Sequence, residues 1–172
     1  RNALRAIQDG RRSDTLLHLH WINNDMLSIW RLRGLPRGTV ITLHDEWLFC
    51  GAEHSYPTDA KDKKFADGYP RRDSSVSGVN WNRWVWKIKL AQLKDRHDLI
   101  FTVPSVWMRG RAKQSMILKD KTVRLLPNPI ETERLFPLEQ TERTDVRARA
   151  GIADGDIVLV VGAVKGGQNP LK

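Results

Sequence analysis

Residues 38–44 read GTVITLH, and residues 98–103 read DLIFTV. Each is a short apolar run rich in β-branched residues and bounded by polar ones, which is the pattern of a buried strand. Two further runs of strand length are DTLLHLH at 14–20 and TVRLLP at 122–127. Because segments with helical spacing separate these runs, the sequence predicts an α/β fold with a Rossmann-like, doubly wound parallel sheet.

Helices are predicted between the strands. The segment 22–33 has helical spacing, with Asn24 as a plausible N-cap and Gly34 as a stop. Pro104 and Ser105 open a second helix that runs to about Ser115. The stretch 45–80 lacks a clear period, and its length and polar composition predict a lid that orders when substrate binds.

The helix predicted at 81–97, WNRWVWKIKLAQLKDRH, carries two apolar stripes beside basic side chains. Helical spacing groups Trp81, Trp84, Val85 and Ile88 into one stripe, and Trp86, Leu90 and Leu93 into the other. One stripe is expected to enter the core. The second either enters the core as well or docks on a membrane interface.

Composition bounds the class of protein. The chain has 172 residues, 40% of them hydrophobic and 28% charged, which is the mix of a globular domain. No apolar run reaches the length of a membrane span. Cys50 is the single cysteine, which excludes an internal disulfide framework and a cysteine-rich zinc site, and suits the cytosol.

The net charge of +9 is concentrated in one segment. Residues 81–124 contain eleven Lys and Arg against three Asp, a net charge of +8. Such a segment is compatible with nucleic acid, an anionic membrane or a phosphorylated substrate. A solvated helical surface is the alternative.

Polar side chains follow the predicted strands at their carboxyl ends, where open α/β sheets bind ligands. The candidates are His20 and Trp21 after the first run, His44 and Asp45 after the second, Ser105 after the third and Asn128 after the fourth. A neutral imidazole can donate a hydrogen bond or exchange a proton with a hydroxyl near neutral pH. His44 is expected to point away from the sheet, with its tautomer fixed by Asp45 or a backbone carbonyl.

Other kinds of site have weaker support. Ser105 at a helix start is compatible with an anion site or with a plain helix cap. The glycines at 162–167 are a weak phosphate-binding signal and match neither a P-loop nor a GxGxxG motif. No spacing typical of a metal site is present.

Six motifs in order resemble one family. LHLHW, VITLHDEWLFCGAEHSY, the Trp-rich helix, TVPSVWM, LLPNPIETERLFP and VLVVGA with NPLK are similar to family 4 of the GT-B glycosyltransferases. The likeness is greatest to the bacterial branch that builds exopolysaccharide, colanic acid-like and O-antigen chains. It runs from about Asp14 to the end of the chain.

The resemblance implies a retaining transferase with two Rossmann-like domains, a nucleotide-diphospho-sugar donor, a glycan or lipid-linked glycan acceptor, and no metal or other cofactor. His44 matches the active-site histidine of the TLHD motif. Ser105 and Asn128 match positions that line the cleft. Gly162 and Lys172 match donor-binding positions, although Leu171 replaces the arginine that precedes the lysine in the family.

The resemblance also predicts a domain organisation. Residues 1–127 are expected to form the acceptor-side domain without its first strand, 128–155 a linker, and 156–172 the start of the nucleotide-sugar domain. Since the first strand and the acidic EX7E region of such enzymes are absent from the sequence, the chain is expected to be a fragment that is inactive alone. The expected location is the cytoplasm, with peripheral contact at the inner face of the plasma membrane.

Two other classes of function compete with this interpretation. A non-catalytic scaffold or membrane-docking domain would keep the same fold without the chemistry. A nucleic-acid-binding module would use the basic, Trp-rich segment to stack single-stranded bases. The sequence lacks RNA-binding signatures, so no nucleic-acid partner is expected.

Overall fold

The computed structural model describes residues 15–22, 26–58, 63–71, 78–153 and 155–159. The chain divides into two compact units, Arg1–Asn128 and Pro129–Lys172. In the described residues, the first unit holds the whole sheet and most of the helices. The second contains one helix.

A four-stranded parallel sheet forms the centre of the first unit, as the sequence predicts. Its strands are β1 (His18–His20), β2 (Val40–Thr42), β3 (Ile100–Val103) and β4 (Thr122–Leu125), paired in the order β1-β2-β3-β4. A doubly wound sheet needs a reversal of strand order. The described strands are paired in the order of the sequence, without such a reversal, so the doubly wound arrangement stays a prediction.

The helices have narrower bounds than the sequence predicts. They are a 3-10 helix (Ile29–Gly34), α1 (Lys64–Asp67), α2 (Trp81–Leu93), α3 (Val106–Gln114) and α4 (Gln140–Arg149). The helix expected at 22–33 is therefore a six-residue 3-10 helix, and its N-cap is Ser28. Asn24 lies outside the described residues. In the second unit α4 has no buried residue, and the described residues 156–159, where the nucleotide-sugar domain is expected to begin, are not in a strand.

The register places alternate residues of each strand on opposite faces of the sheet. Leu19, Ile41, Phe101 and Val123 align in one row, and Ile41 and Phe101 are buried in the core. The next row contains His20, Thr42 and Thr102. Because side chains alternate along a strand, the apolar row and the polar row lie on opposite faces of the sheet.

The segment after β2 packs into the core in its described part, which favours a structural cover over the predicted mobile lid. Trp47, Leu48, Phe49 and Cys50 are buried, and so is Tyr56. Phe65 of α1 and Tyr69 continue the same cluster. Residues 59–62 and 72–77 of the predicted lid lie outside the described residues.

The second apolar stripe of α2 enters the core, which is one of the two expected alternatives, whereas the first stripe enters it only in part. Trp86 and Leu93 of the second stripe are buried, and Leu90 is half-buried against the core. This stripe therefore cannot dock on a membrane. In the first stripe Val85 and Ile88 are buried, whereas Trp81 and Trp84 are exposed.

The basic segment 81–124 is not a single charged surface. Lys89 and Lys121 are buried, at 0% and 3% exposure. Lys121 Nζ donates to the carbonyl of Lys94 over 2.7 Å. Arg96 and Arg111 are also engaged in internal bonds. Part of the net charge thus holds the fold together and is not available to a partner.

Candidate functional site

Two histidines from neighbouring strands meet at the carboxyl edge of the sheet. His20 ends β1, and His44 follows β2 by two residues. His20 Nδ1 lies 3.0 Å from His44 Nε2, so one imidazole donates a hydrogen bond and the other accepts it. Both side chains are exposed. Because β1 and β2 are parallel and adjacent, residues 24 positions apart in sequence form one polar group.

Two threonine hydroxyls form a hydrogen-bonded line from His18 of β1 to β3 in the middle of the sheet. Thr42 Oγ1 lies 2.7 Å from Thr102 Oγ1 of β3 and 2.7 Å from His18 Nε2. Partial burial, and then the charge of nearby His20, lower the pKa of His18. Its ring is therefore neutral at neutral pH and can exchange hydrogen bonds with the threonine hydroxyl.

Asp45 holds a different histidine from the one expected. Its Oδ2 lies 2.7 Å from His54 Nδ1, and its Oδ1 accepts from the backbone N–H of Trp47 over 3.0 Å. The expectation that Asp45 orients His44 is wrong, because the two carboxylate oxygens of Asp45 bond Trp47 and His54, and His44 Nε2 bonds His20. Orientation of His44 by a backbone carbonyl stays a prediction.

Trp21 adds an aromatic surface to the same edge. Its ring stacks on His54 with centroids 5.2 Å apart and an interplanar angle of 19°, and the residue is 42% exposed. Its backbone has φ of 44°, a left-handed conformation that costs roughly 1–2 kcal/mol for a non-glycine residue. Such strain persists only where surrounding contacts impose it. The stack on His54 is one such contact.

A small cavity of about 20 Å³ lies beside these groups. Its lining includes His44 and Asp45, the aromatic residues Trp21 and Trp47, and the apolar residues Ile22, Ile41, Leu43 and Leu48. A volume of this size corresponds to about one water position.

Two buried charges fix the segment that carries Asp45 and His54. Lys89 Nζ donates to the carbonyls of Trp47, Cys50 and Gly51, and lies 4.0 Å from the centroid of the Trp47 ring. Burial lowers the pKa of Lys89 to about 7, and nearby acidic groups oppose that shift. Glu46, at 1% exposure, accepts from the guanidinium of Arg111 and from the backbone N–H of Tyr56.

Tight packing around Gly51 adds to this rigidity. Its backbone N–H donates to the Tyr69 hydroxyl over 2.8 Å. A Cβ at this position would lie 2.6 Å from Asn82 Cβ and 2.5 Å from Glu53 Oε2. Cys50 beside it is fully buried, and burial raises the pKa of its thiol. Cys50 is therefore a core residue and not a nucleophile.

The other predicted site residues that the structure describes do not line this cavity. Ser105 is the N-cap of α3, since its Oγ accepts from the Met108 N–H over 3.1 Å. Asn128 is exposed in the irregular segment after β4. Neither lines the cavity. Gly162 and Lys172 lie outside the described residues.

His54 is the site residue that sequence reasoning missed. It lies nine positions after Asp45 in an aperiodic stretch, and only the fold of this segment brings the two side chains together. In the part of the chain that the structure describes, no group of three or more His, Cys, Asp or Glu side chains could hold a metal ion. None of the described helices is long and apolar enough to cross a membrane.

Comparison of the chain with protein-family models, curated proteins and solved structures finds no match.

Proposed function

We propose that this chain is the acceptor-side part of a retaining GT-B glycosyltransferase. It would transfer a sugar from a nucleotide-diphospho-sugar to a glycan or lipid-linked glycan during surface-polysaccharide synthesis. The observation that carries the proposal is the pair His20–His44, which joins two adjacent parallel strands at their carboxyl edge. Ligands of open α/β sheets bind at this edge. The order of the family-like motifs supports the same conclusion.

The chemistry of the edge suits a ligand rich in hydroxyl groups. Imidazole and carboxylate groups exchange hydrogen bonds with hydroxyls, and the indole of Trp21 offers an apolar face beside them. In the proposed reaction His44 bonds a hydroxyl of the transferred sugar or takes part in proton movement at the acceptor. His20 holds the ring of His44 in one orientation.

The remaining part of the proposal concerns the leaving group. Positive charge develops at the anomeric carbon, while negative charge develops on the departing diphosphate. Lys172 and Gly162 are proposed to bind that diphosphate, with Ser105 and Asn128 lining the cleft. The proposal includes a doubly wound sheet, a linker at 128–155 and a second Rossmann-like domain that begins near 156.

The test is the turnover of a His44→Ala variant of the full-length protein. Wild type is first screened with a panel of nucleotide sugars, with release of nucleoside diphosphate as the readout. Loss of one preorganised contact of this kind costs on the order of 10²–10³ in rate. We expect that loss for His44→Ala, with nucleotide affinity and thermal midpoint close to wild type because the side chain is exposed.

His97→Ala is the matched control, since His97 is also exposed and lies far along the chain from the edge of β1 and β2. It should turn over like wild type. Near-native turnover of His44→Ala would show that the histidine has no catalytic role. Absence of diphosphate release by wild type with every nucleotide sugar would reject the proposed reaction.

A further inference from the structure

Three tryptophans form an exposed aromatic cluster on the first unit. Trp30 of the 3-10 helix is 56% exposed, and Trp81 and Trp84 of α2 are 57% and 43% exposed. Trp84 contacts both of the others, with ring centroids 5.9 Å from Trp30 and 4.7 Å from Trp81. An exposed cluster of large aromatic side chains is uncommon on a globular surface and usually marks an interaction site.

The buried face of α2 fixes this cluster on the outside. Val85, Trp86, Ile88, Lys89 and Leu93 of α2 are buried. The opposite face therefore consists of Trp81, Trp84, Lys87 and Ala91, all exposed. The 3-10 helix packs alongside, and its Arg33 backbone N–H donates to Gln92 Oε1 over 3.2 Å. The cluster is thus part of the fold and needs no rearrangement to form.

The exposed charged side chains that these two helices carry are basic. Lys87 follows Trp84 on the outer face of α2, and Arg31 follows Trp30 on the 3-10 helix. Neither helix contains an acidic residue. Arg33, further along the 3-10 helix, lies 3.5 Å from Asp95 and is partly neutralised. The aromatic cluster with Arg31 and Lys87, here called the tryptophan face, therefore combines indole rings with net positive charge.

We propose that the tryptophan face docks on the headgroup region of a membrane that contains anionic lipids. Tryptophan is the residue type that suits this region, because its ring is apolar and its N–H remains able to bond water or headgroups. Basic side chains beside it bind anionic headgroups. This inference goes beyond the proposed function, since it concerns where the protein binds and does not depend on what it catalyses.

Nucleic-acid stacking fits the geometry less well. Bases stack on the open faces of aromatic rings. In the tryptophan face, the rings of Trp81 and Trp84 lie too close together for a base to enter between them. Trp30 and Trp84 pack edge to face, so one ring already covers a face of the other. The rings form one continuous apolar surface. Such a surface suits lipid better than separate bases.

The experiment is co-sedimentation of the full chain with two kinds of vesicle. One kind contains equal parts of phosphatidylglycerol and phosphatidylcholine, and the other contains phosphatidylcholine alone. We expect binding to the first kind, weaker binding to the second, and release from the first by salt. Each of Arg31→Gln and Lys87→Gln should lower the partition coefficient about fivefold. Trp81→Ser with Trp84→Ser should lower it on the order of tenfold or more.

Trp107→Ser is the matched control, because Trp107 is 51% exposed but belongs to α3. It should bind vesicles like wild type. Quenching of tryptophan fluorescence by brominated phosphatidylglycerol provides a second measurement that needs no variant. Equal binding to both kinds of vesicle, no quenching, or unchanged binding of the Trp81 and Trp84 variant would overturn the proposal. Binding of a single-stranded oligonucleotide in place of vesicles would assign the face to nucleic acid.

Discussion

Arg96 connects three parts of the first unit through one guanidinium group. Its Nε and one terminal nitrogen donate to the two carboxylate oxygens of Asp98, each over 2.8 Å. The terminal nitrogens also donate to the carbonyls of Arg33 over 2.6 Å and Leu35 over 2.8 Å. These carbonyls are at the end of the 3-10 helix, where backbone acceptors lack helical partners. Arg96 therefore ties that end to the start of β3.

The first prediction is a loss of stability in acid that depends on Asp98. The hydrogen bond from Arg96 lowers the pKa of Asp98 below its ordinary value of 3.8. As the pH falls, the unfolded chain therefore takes up this proton first, and the free energy of unfolding decreases. The contribution of Asp98 to the free energy of unfolding is fully present above about pH 4 and is lost as the pH drops through the folded-state pKa of Asp98. Urea unfolding of wild type between neutral pH and the acid range measures this slope.

Asp98→Asn should be less stable than wild type at neutral pH and show a shallower decline in acid. Asp95→Asn is the control, because Asp95 is 64% exposed and 3.5 Å from Arg33. Exposed pairs of this kind contribute about 0–1 kcal/mol. If Asp98→Asn kept the acid slope of wild type, the loss of stability in acid would not depend on Asp98.

The candidate site can be predicted from the sequence only in part. The position of His44 at the carboxyl end of a strand follows from its place just after a β-branched run. Its bond to His20 depends on the register between β1 and β2, in which His20 aligns with Thr42. Register is a property of the pairing and not of either segment alone. Asp45 is adjacent to His44 in sequence, yet its carboxylate bonds His54.

At the scale of elements, the segment between β2 and α1 depends on a buried ion pair with α3. Glu46 is 1% exposed, and the side chain of Arg111 is 11% exposed. Arg111 also donates to the carbonyl of Tyr56 over 3.0 Å, and the Glu46 carboxylate accepts from the Tyr56 N–H over 2.6 Å. The pair thus closes a loop of ten residues against a helix that lies far along the chain.

The second prediction in this part concerns that ion pair. Removing one member leaves the other charge buried without its partner, which typically costs about 3–5 kcal/mol. Arg111→Met and Glu46→Gln should each lower the free energy of unfolding by that order. The double variant should be more stable than the sum of the two losses predicts, because neither charge is then left alone. Urea unfolding of all four proteins gives the coupling free energy.

Arg109→Met is the control for that cycle, since Arg109 is exposed on the same helix. Its free energy of unfolding should stay within about 0.5 kcal/mol of wild type. Additive losses in the double variant would mean that Glu46 and Arg111 stabilise the fold independently of each other.

The elements differ in how far local sequence determines them. β2 and β3 lie in short runs rich in apolar and β-branched residues, and they form where the pattern predicts. The segment 45–56 has no period because its order comes from Lys89 and Glu46, whose partners are distant in sequence. Basic residues such as Lys89 are usually taken as exposed. A pattern-based prediction therefore interpreted this packed segment as a lid.

At the scale of the whole molecule, the described parts of the two units differ in how many of their side chains are buried. In the first unit the sheet, α2 and the segment 45–56 share one hydrophobic core. In the second unit α4 contributes no buried residue. Cooperative stability is carried by buried contacts more than by helical hydrogen bonds, because an isolated helix of ten residues is marginal in water.

The last prediction follows from that division and concerns amide hydrogen exchange in the free protein. The amides of Phe49 and Cys50, which donate to the Glu46 carbonyl over 3.1 and 2.9 Å, should exchange as slowly as those of β2 and β3. The amides of α4 should exchange much faster despite their helical bonds. Hydrogen–deuterium exchange read by mass spectrometry on peptides from 43–56 and 140–149 measures both. Fast exchange at 43–56 that slows only when an acceptor glycan is added would restore the lid, since protection would then come from the ligand and not from Lys89, Glu46 and the core.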